Sequence, residues 1–173
     1  MNRRNAIRNL VLTSGTLITL PVWMGCGDND APLTHQSSFS SAEQKTLAGV
    51  ADTIIPAGAA IGALATGVDK YLQKLFDDCH PKEVQDNIRT QLKALEAAAK
   101  KTHSKSFEDC SQQQREELLL KLPASTVKEE KDFFTLVKSE TIRGFNTSQQ
   151  VMQKYLNYKV APGHYYGCVA INA

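Results

Sequence analysis

From Ser40 onward the apolar residues recur at steps of three and four, and no stretch alternates apolar and polar positions as a half-buried strand would. Val84, Ile88, Leu92, Leu95 and Ala99 show the pattern most clearly, because their spacing places all five on one helical face. Capping pairs mark several helix starts: a hydroxyl side chain and an acid or amide three residues later satisfy backbone N–H groups that lack a helical partner. Ser40 with Glu43 opens SAEQKTLAGVADTII, Ser111 with Gln114 opens QQQREELLLKL, and Thr126 with Glu129 opens VKEEKDFFTLVKSETI. Together with VDKYLQKLFDD, a helix from about Pro81 to Lys101, and QQVMQKYLNY, they predict an all-α domain of about six helices. Phe133, Phe134, Leu136 and Val137 read as core of that domain.

Two stretches do not fit the helical rhythm. PAGAAIGALATG, residues 56 to 67, follows the first helix; Pro56 ends that helix, and the glycines allow close backbone approaches that a side chain would block. It lacks the preceding strand and the Lys-Ser/Thr ending of a phosphate loop, so it reads as a contact loop. At the other extreme, MNRRNAIRNL leads into VLTSGTLITLPVW, an uncharged and mostly apolar run that is too short to span a bilayer. A charged head, an apolar middle and the small residue Gly25 describe a signal peptide over residues 1–25. Its pair Arg3 and Arg4 resembles the twin-arginine export signal. VWMGC resembles a lipobox, which makes Cys26 the expected lipidated residue and a lipid anchor in the cell envelope the expected attachment. GDNDAPLTHQSS, within residues 26–39, is polar and turn-rich and reads as a tether to a domain over 40–173.

Removing residues 1–25 takes three arginines and no acid, so 17 of the 20 Lys and Arg remain against 18 Asp and Glu. A near-neutral domain gives no electrostatic case for binding nucleic acid. Cys79 ends a predicted helix and Cys110 directly precedes the Ser111 cap, so in an oxidising compartment a Cys79–Cys110 disulfide is expected, worth about 3 to 4 kcal/mol. His164 and Cys168 form a lone His-x-x-x-Cys pair with no further ligands at a spacing that would complete a metal site and no orienting third residue for a nucleophile. No catalytic, metal-binding or cofactor-binding residues are assigned to this chain.

LAGVADTIIPAGAAIGALATGVDKYLQKLF and TIRGFNTSQQVMQKYLNYKVAPGHYYGC resemble the two hallmark segments of the gluconate 2-dehydrogenase subunit 3 family, small subunits of FAD-dependent sugar and sugar-acid dehydrogenases. The family's Asp, Ile-Pro and Gly/Ala-rich loop fall on Asp52, Ile55, Pro56, Gly58, Gly62 and Gly67. Its Gly-aromatic pair and Pro-Gly-x-Tyr-x-Gly run fall on Gly144, Phe145, Pro162, Gly163, Tyr165 and Gly167. SFEDCSQQQREELLLKL is similar to the family's Gln-Arg helix start. The resemblance implies a non-catalytic subunit without flavin or haem of its own. Its expected partner is a large catalytic subunit of the glucose-methanol-choline type, which holds FAD and passes electrons to a cytochrome or another acceptor. It also implies a reason for the arginine pair: a flavoprotein loads its cofactor before export, and a small partner with a signal can carry the folded pair to the periplasm. The Gly-rich loop and the segment from Gly144 to Cys168 are then the expected docking surfaces. A rival reading is a free-standing periplasmic lipoprotein that binds a small ligand or a cell-envelope protein, which predicts a concave apolar pocket rather than an exposed apolar patch.

Overall fold

The computed structural model describes residues 35–159 together with 161, 163 and 168. Six helices follow in order: α1 (Ser41–Ile54), α2 (Val68–Cys79), α3 (Lys82–His103), α4 (Gln112–Ala124), α5 (Lys128–Asn146) and α6 (Gln149–Lys154). A 3-10 turn, Leu64–Thr66, lies between α1 and α2, and the described residues contain no strand. The all-α architecture expected from the periodicity is therefore the one observed.

Helix α1 is the hub, packed by α2, α3, α4 and α5. Its sequence suits that position. Leu47, Val50 and Ala51 are fully buried, and Gly49 lets the Phe107 ring approach to where a Cβ would be only 3.1 Å from it. Val68, Leu72 and Phe76, spaced by four on α2, are also fully buried. On α3 the predicted stripe is confirmed: Ile88, Leu92, Leu95 and Ala99 are buried, and Val84 packs partly against them. Phe76, Phe107 and Phe133 are the largest fully buried side chains, each contributing roughly 2 to 3 kcal/mol through apolar burial.

The Ser40–Glu43 and Ser111–Gln114 capping boxes form as predicted. The third does not. Ser125 Oγ accepts the Val127 N–H at 3.0 Å and holds the turn, so α5 starts at Lys128, one residue later than a Thr126 cap would place it, with Val127 at the N-cap and no side-chain cap. Burial pushes the Glu43 carboxyl up, but the Ser40 backbone N–H and hydroxyl and the Lys93 ammonium outweigh it and hold Glu43 below the usual carboxylate range. A depressed folded value means a contribution that is complete above the unfolded carboxylate range and is lost as pH falls through the folded value. Wild type should therefore exceed Glu43→Gln in stability at neutral pH, and urea midpoints of the two should converge as pH is lowered below 4.5, the ordinary Glu value. A gap that persists unchanged in acid would contradict this role.

Two expectations are corrected. The Cys79–Cys110 bridge is not formed: Cys79 is exposed at the end of α2, whereas Cys110 is buried with its Sγ directed at the Ser106 carbonyl oxygen, 3.4 Å away. The tether also ends earlier than residue 39. Phe39 is buried in the core, with the Arg89 guanidinium 5.2 Å above its ring. Ser37 Oγ and the Ser38 N–H donate to Asp77 Oδ2 at 3.1 and 3.0 Å, and Ser38 Oγ also bonds Asp77 Oδ1. Asp77 thus holds the first residues of the folded unit. Arg3, Arg4 and Cys26 lie outside the described residues.

Candidate docking end

At the C-terminal end of α1 the chain must reverse into α2, and the contacts that fix this reversal are internal. Asp52 Oδ2 accepts from Arg115 Nη2 at 2.8 Å, with the two side chains only 22% and 12% exposed. Gln112 Oε1 accepts from the same Arg115 nitrogen at 3.1 Å, and Gln112 Nε2 donates to the Thr53 carbonyl at 3.0 Å. This brings together residues of two family patterns noted separately in the sequence, 63 positions apart.

The loop then folds onto itself. The Ala63 N–H donates to the Ile55 carbonyl at 2.9 Å and the Gly58 N–H to the Ala60 carbonyl at 3.1 Å. Gly62 is obligatory, because a Cβ there would lie 2.6 Å from the Ala57 backbone nitrogen. Gly67 takes the left-handed conformation, φ 74°, as the N-cap of α2. Gly58, by contrast, has open space around it. Gly62→Ala should therefore cost roughly 1 to 3 kcal/mol in chemical denaturation, as overpacked sites do, while Gly58→Ala should change stability by less than about 0.5 kcal/mol. Equal effects at the two positions would show that the loop is not folded as described.

The second hallmark segment meets the first at this end. Gly144 on α5 lies against Tyr71 on α2, so closely that a Cβ would be 2.5 Å from the ring. The Tyr71 hydroxyl donates to Glu140 Oε2 at 3.2 Å. Burial and the Glu140 carboxylate both push the Tyr71 phenol up, keeping it a neutral donor. Helix α6 is capped by Ser148, buries Val151, and abuts the 3-10 turn, where Gln150 Nε2 reaches the Ala65 carbonyl at 3.4 Å.

Of the residues predicted to contact a partner, Gly62, Gly67 and Gly144 have internal packing or backbone roles, and Phe145 packs partly against the core. Pro56 and Gly58 are exposed, as are Ala57, Ala59 and Ala60. Gly163 has φ 77°, and Pro162, Tyr165 and Gly167 lie outside the described residues, as does His164. Cys168 is an exposed free thiol.

Within the two segments expected to dock, the sequence did not single out the apolar side chains that this end leaves in solvent. Leu64 in the 3-10 turn is 44% exposed, and beyond α6 Tyr155, Leu156 and Tyr158 are 54%, 58% and 52% exposed. Three large apolar residues within four positions, just past a short helix, were the available signal. Between Thr147, Gln149, Met152, Gln153, Tyr158 and Lys159 lies a groove of about 530 Å³. A second groove of about 270 Å³, floored by Ile54, Leu119 and Phe134, carries Leu120, 65% exposed, at its edge. Exposed apolar groups thus stand beside open grooves, an arrangement suited to receiving a protein surface. Among the described residues no three His, Cys, Asp or Glu side chains group as possible metal ligands, and no helix is long and apolar enough to cross a membrane.

Comparison with known families gives a match of residues 41–163 to the family described as Gluconate 2-dehydrogenase subunit 3. The match spans the first hallmark segment, the helices that follow it, and the second hallmark segment as far as Gly163. No curated protein and no solved structure matches the chain.

Proposed function

Because the chain belongs to the gluconate 2-dehydrogenase subunit 3 family, we propose that it is a non-catalytic accessory subunit of a flavin-dependent dehydrogenase of the glucose-methanol-choline type. In this reading FAD resides in the large partner, which oxidises a sugar, a sugar acid or an alcohol and passes electrons to a cytochrome or another acceptor. The observation that carries the reading is the end just described. Its family residues make a rigid internal frame of Asp52 with Arg115, Gly62 against Ala57, and Gly144 against Tyr71, and that frame presents Leu64, Tyr155, Leu156 and Tyr158 to solvent. Leaving such residues uncovered is unfavourable for a monomer and expected of a subunit.

Arg3 and Arg4 support export of the folded pair, and Cys26 supports attachment to the envelope through lipid. The subunit would then stabilise the flavoprotein, accompany it to the periplasm and hold it there. The mature chain, tagged and recovered from its native envelope, should retain a protein of flavoprotein size with flavin absorbance, and that complex should reduce a dye when given the correct sugar or alcohol. Recovery of a colourless chain without a partner would favour the free-standing lipoprotein instead.

A further inference from the structure

The accessory-subunit reading, on which this inference rests, places the partner at one end of α1. The N-terminal junction is at the other. Helix α1 has 14 residues and so separates its N-cap, Ser40, from the Gly-rich loop by about 21 Å. The chain does not drift back along that length. Ser37 and Ser38 are bonded to Asp77 near the C-terminal end of α2, ten residues from the Gly67 cap that borders the loop. Arg89 of α3 closes the clasp from the other side: its Nη2 donates to Ser38 Oγ at 2.6 Å, its guanidinium covers the Phe39 ring, and Asp86 Oδ1 accepts from its Nη1 at 3.2 Å. The capping box follows immediately, with Glu43 bonded to Ser40 and paired with Lys93 at 3.5 Å.

Four consecutive residues, Ser37 to Ser40, are therefore fixed by side chains from three helices. A simple flexible attachment would need none of these bonds. We infer that the clasp is a mounting point that keeps the N-terminal junction remote from the docking end, so that one body can hold the chain at Ser37 while the flavoprotein occupies the loop and α6 end. An accessory subunit that must be held by its N-terminus and bind a folded partner at the same time requires this separation.

The test fuses a fluorescent protein directly before Ser37 and compares flavoprotein retention with that of the unfused mature chain. A Leu64→Asp/Leu156→Asp double variant serves as the control for lost docking. Retention by the fusion within about twofold of the unfused chain is expected, against a loss of roughly 100-fold or more for the double variant. If the unfused chain retains the flavoprotein and the fusion loses it tenfold or more, the inference is overturned while the accessory role stands. If neither retains it, the accessory role itself fails and this inference with it. The clasp has its own readout in amide exchange at Ser38, whose N–H donates to Asp77. Exchange should be slowed at least about tenfold relative to an Asp77→Ala variant. Equally fast exchange in both would show that the junction is not held.

Discussion

Replacing Arg115 by Met is expected to lower the unfolding free energy by about 2 to 3 kcal/mol. Arg115 ties α4 to the last turn of α1, and it does so from a position where its guanidinium passes Gly49, 3.8 Å from where a Cβ there would lie. Methionine keeps the apolar stem but leaves the half-buried Asp52 carboxylate without its 2.8 Å partner and removes a donor from Gln112. The loss is set below that of a fully buried pair because both side chains keep some contact with water, which screens the charge left behind. Asp52→Asn should cost less, about 1 to 2 kcal/mol, and the double variant should fall short of the sum by at least about 1 kcal/mol. Urea unfolding of the four proteins provides the cycle. Additivity to within about 0.3 kcal/mol would mean that the two residues act separately and that the frame beneath the loop is held by something else.

The double variant Leu64→Asp/Leu156→Asp should abolish retention of the flavoprotein, by roughly 100-fold or more in affinity, while leaving the fold intact. Leu64 is 44% and Leu156 58% exposed in the isolated chain, and neither belongs to the buried core, so their loss removes little core packing. In a complex they would be buried, and two carboxylates would then have to be desolvated against an apolar partner surface. Thermal unfolding within a few degrees of wild type, together with lost retention, is the expected combination. Unchanged retention would move the interface elsewhere, with the groove edged by Leu120 the next surface to probe.

Much of this fold was legible from periodicity and capping. The α3 stripe, two of the three capping boxes and the helical architecture follow from local rules, because a helix draws its hydrogen bonds from residues four apart. What was not legible depends on distant pairing. Nothing local to Asp77 distinguishes it from Asp78, yet its carboxylate meets Ser37 and Ser38, some 40 positions earlier. Spacing put Cys79 and Cys110 at helix ends, but the side on which each thiol emerges depends on packing, and one turns inward while the other faces solvent. The family pattern was read as a contact surface, whereas Gly62 and Gly144 owe their identity to Ala57 and Tyr71 within the same chain. The side chains left for a partner, such as Leu64 and Leu156, carry no motif, since exposure is a property of the assembled end and not of the residue.

The most direct measurement is amide hydrogen exchange on the mature chain, alone and in complex with the flavoprotein recovered from the envelope. Docking through the loop and α6 should bring new protection at residues 56–67 and 149–158, with little change at Ser37, Ser38 and the exposed start of α3. Protection confined to the clasp and the first turns of α3 and α5, with the loop and α6 exchanging as in the free chain, would contradict it.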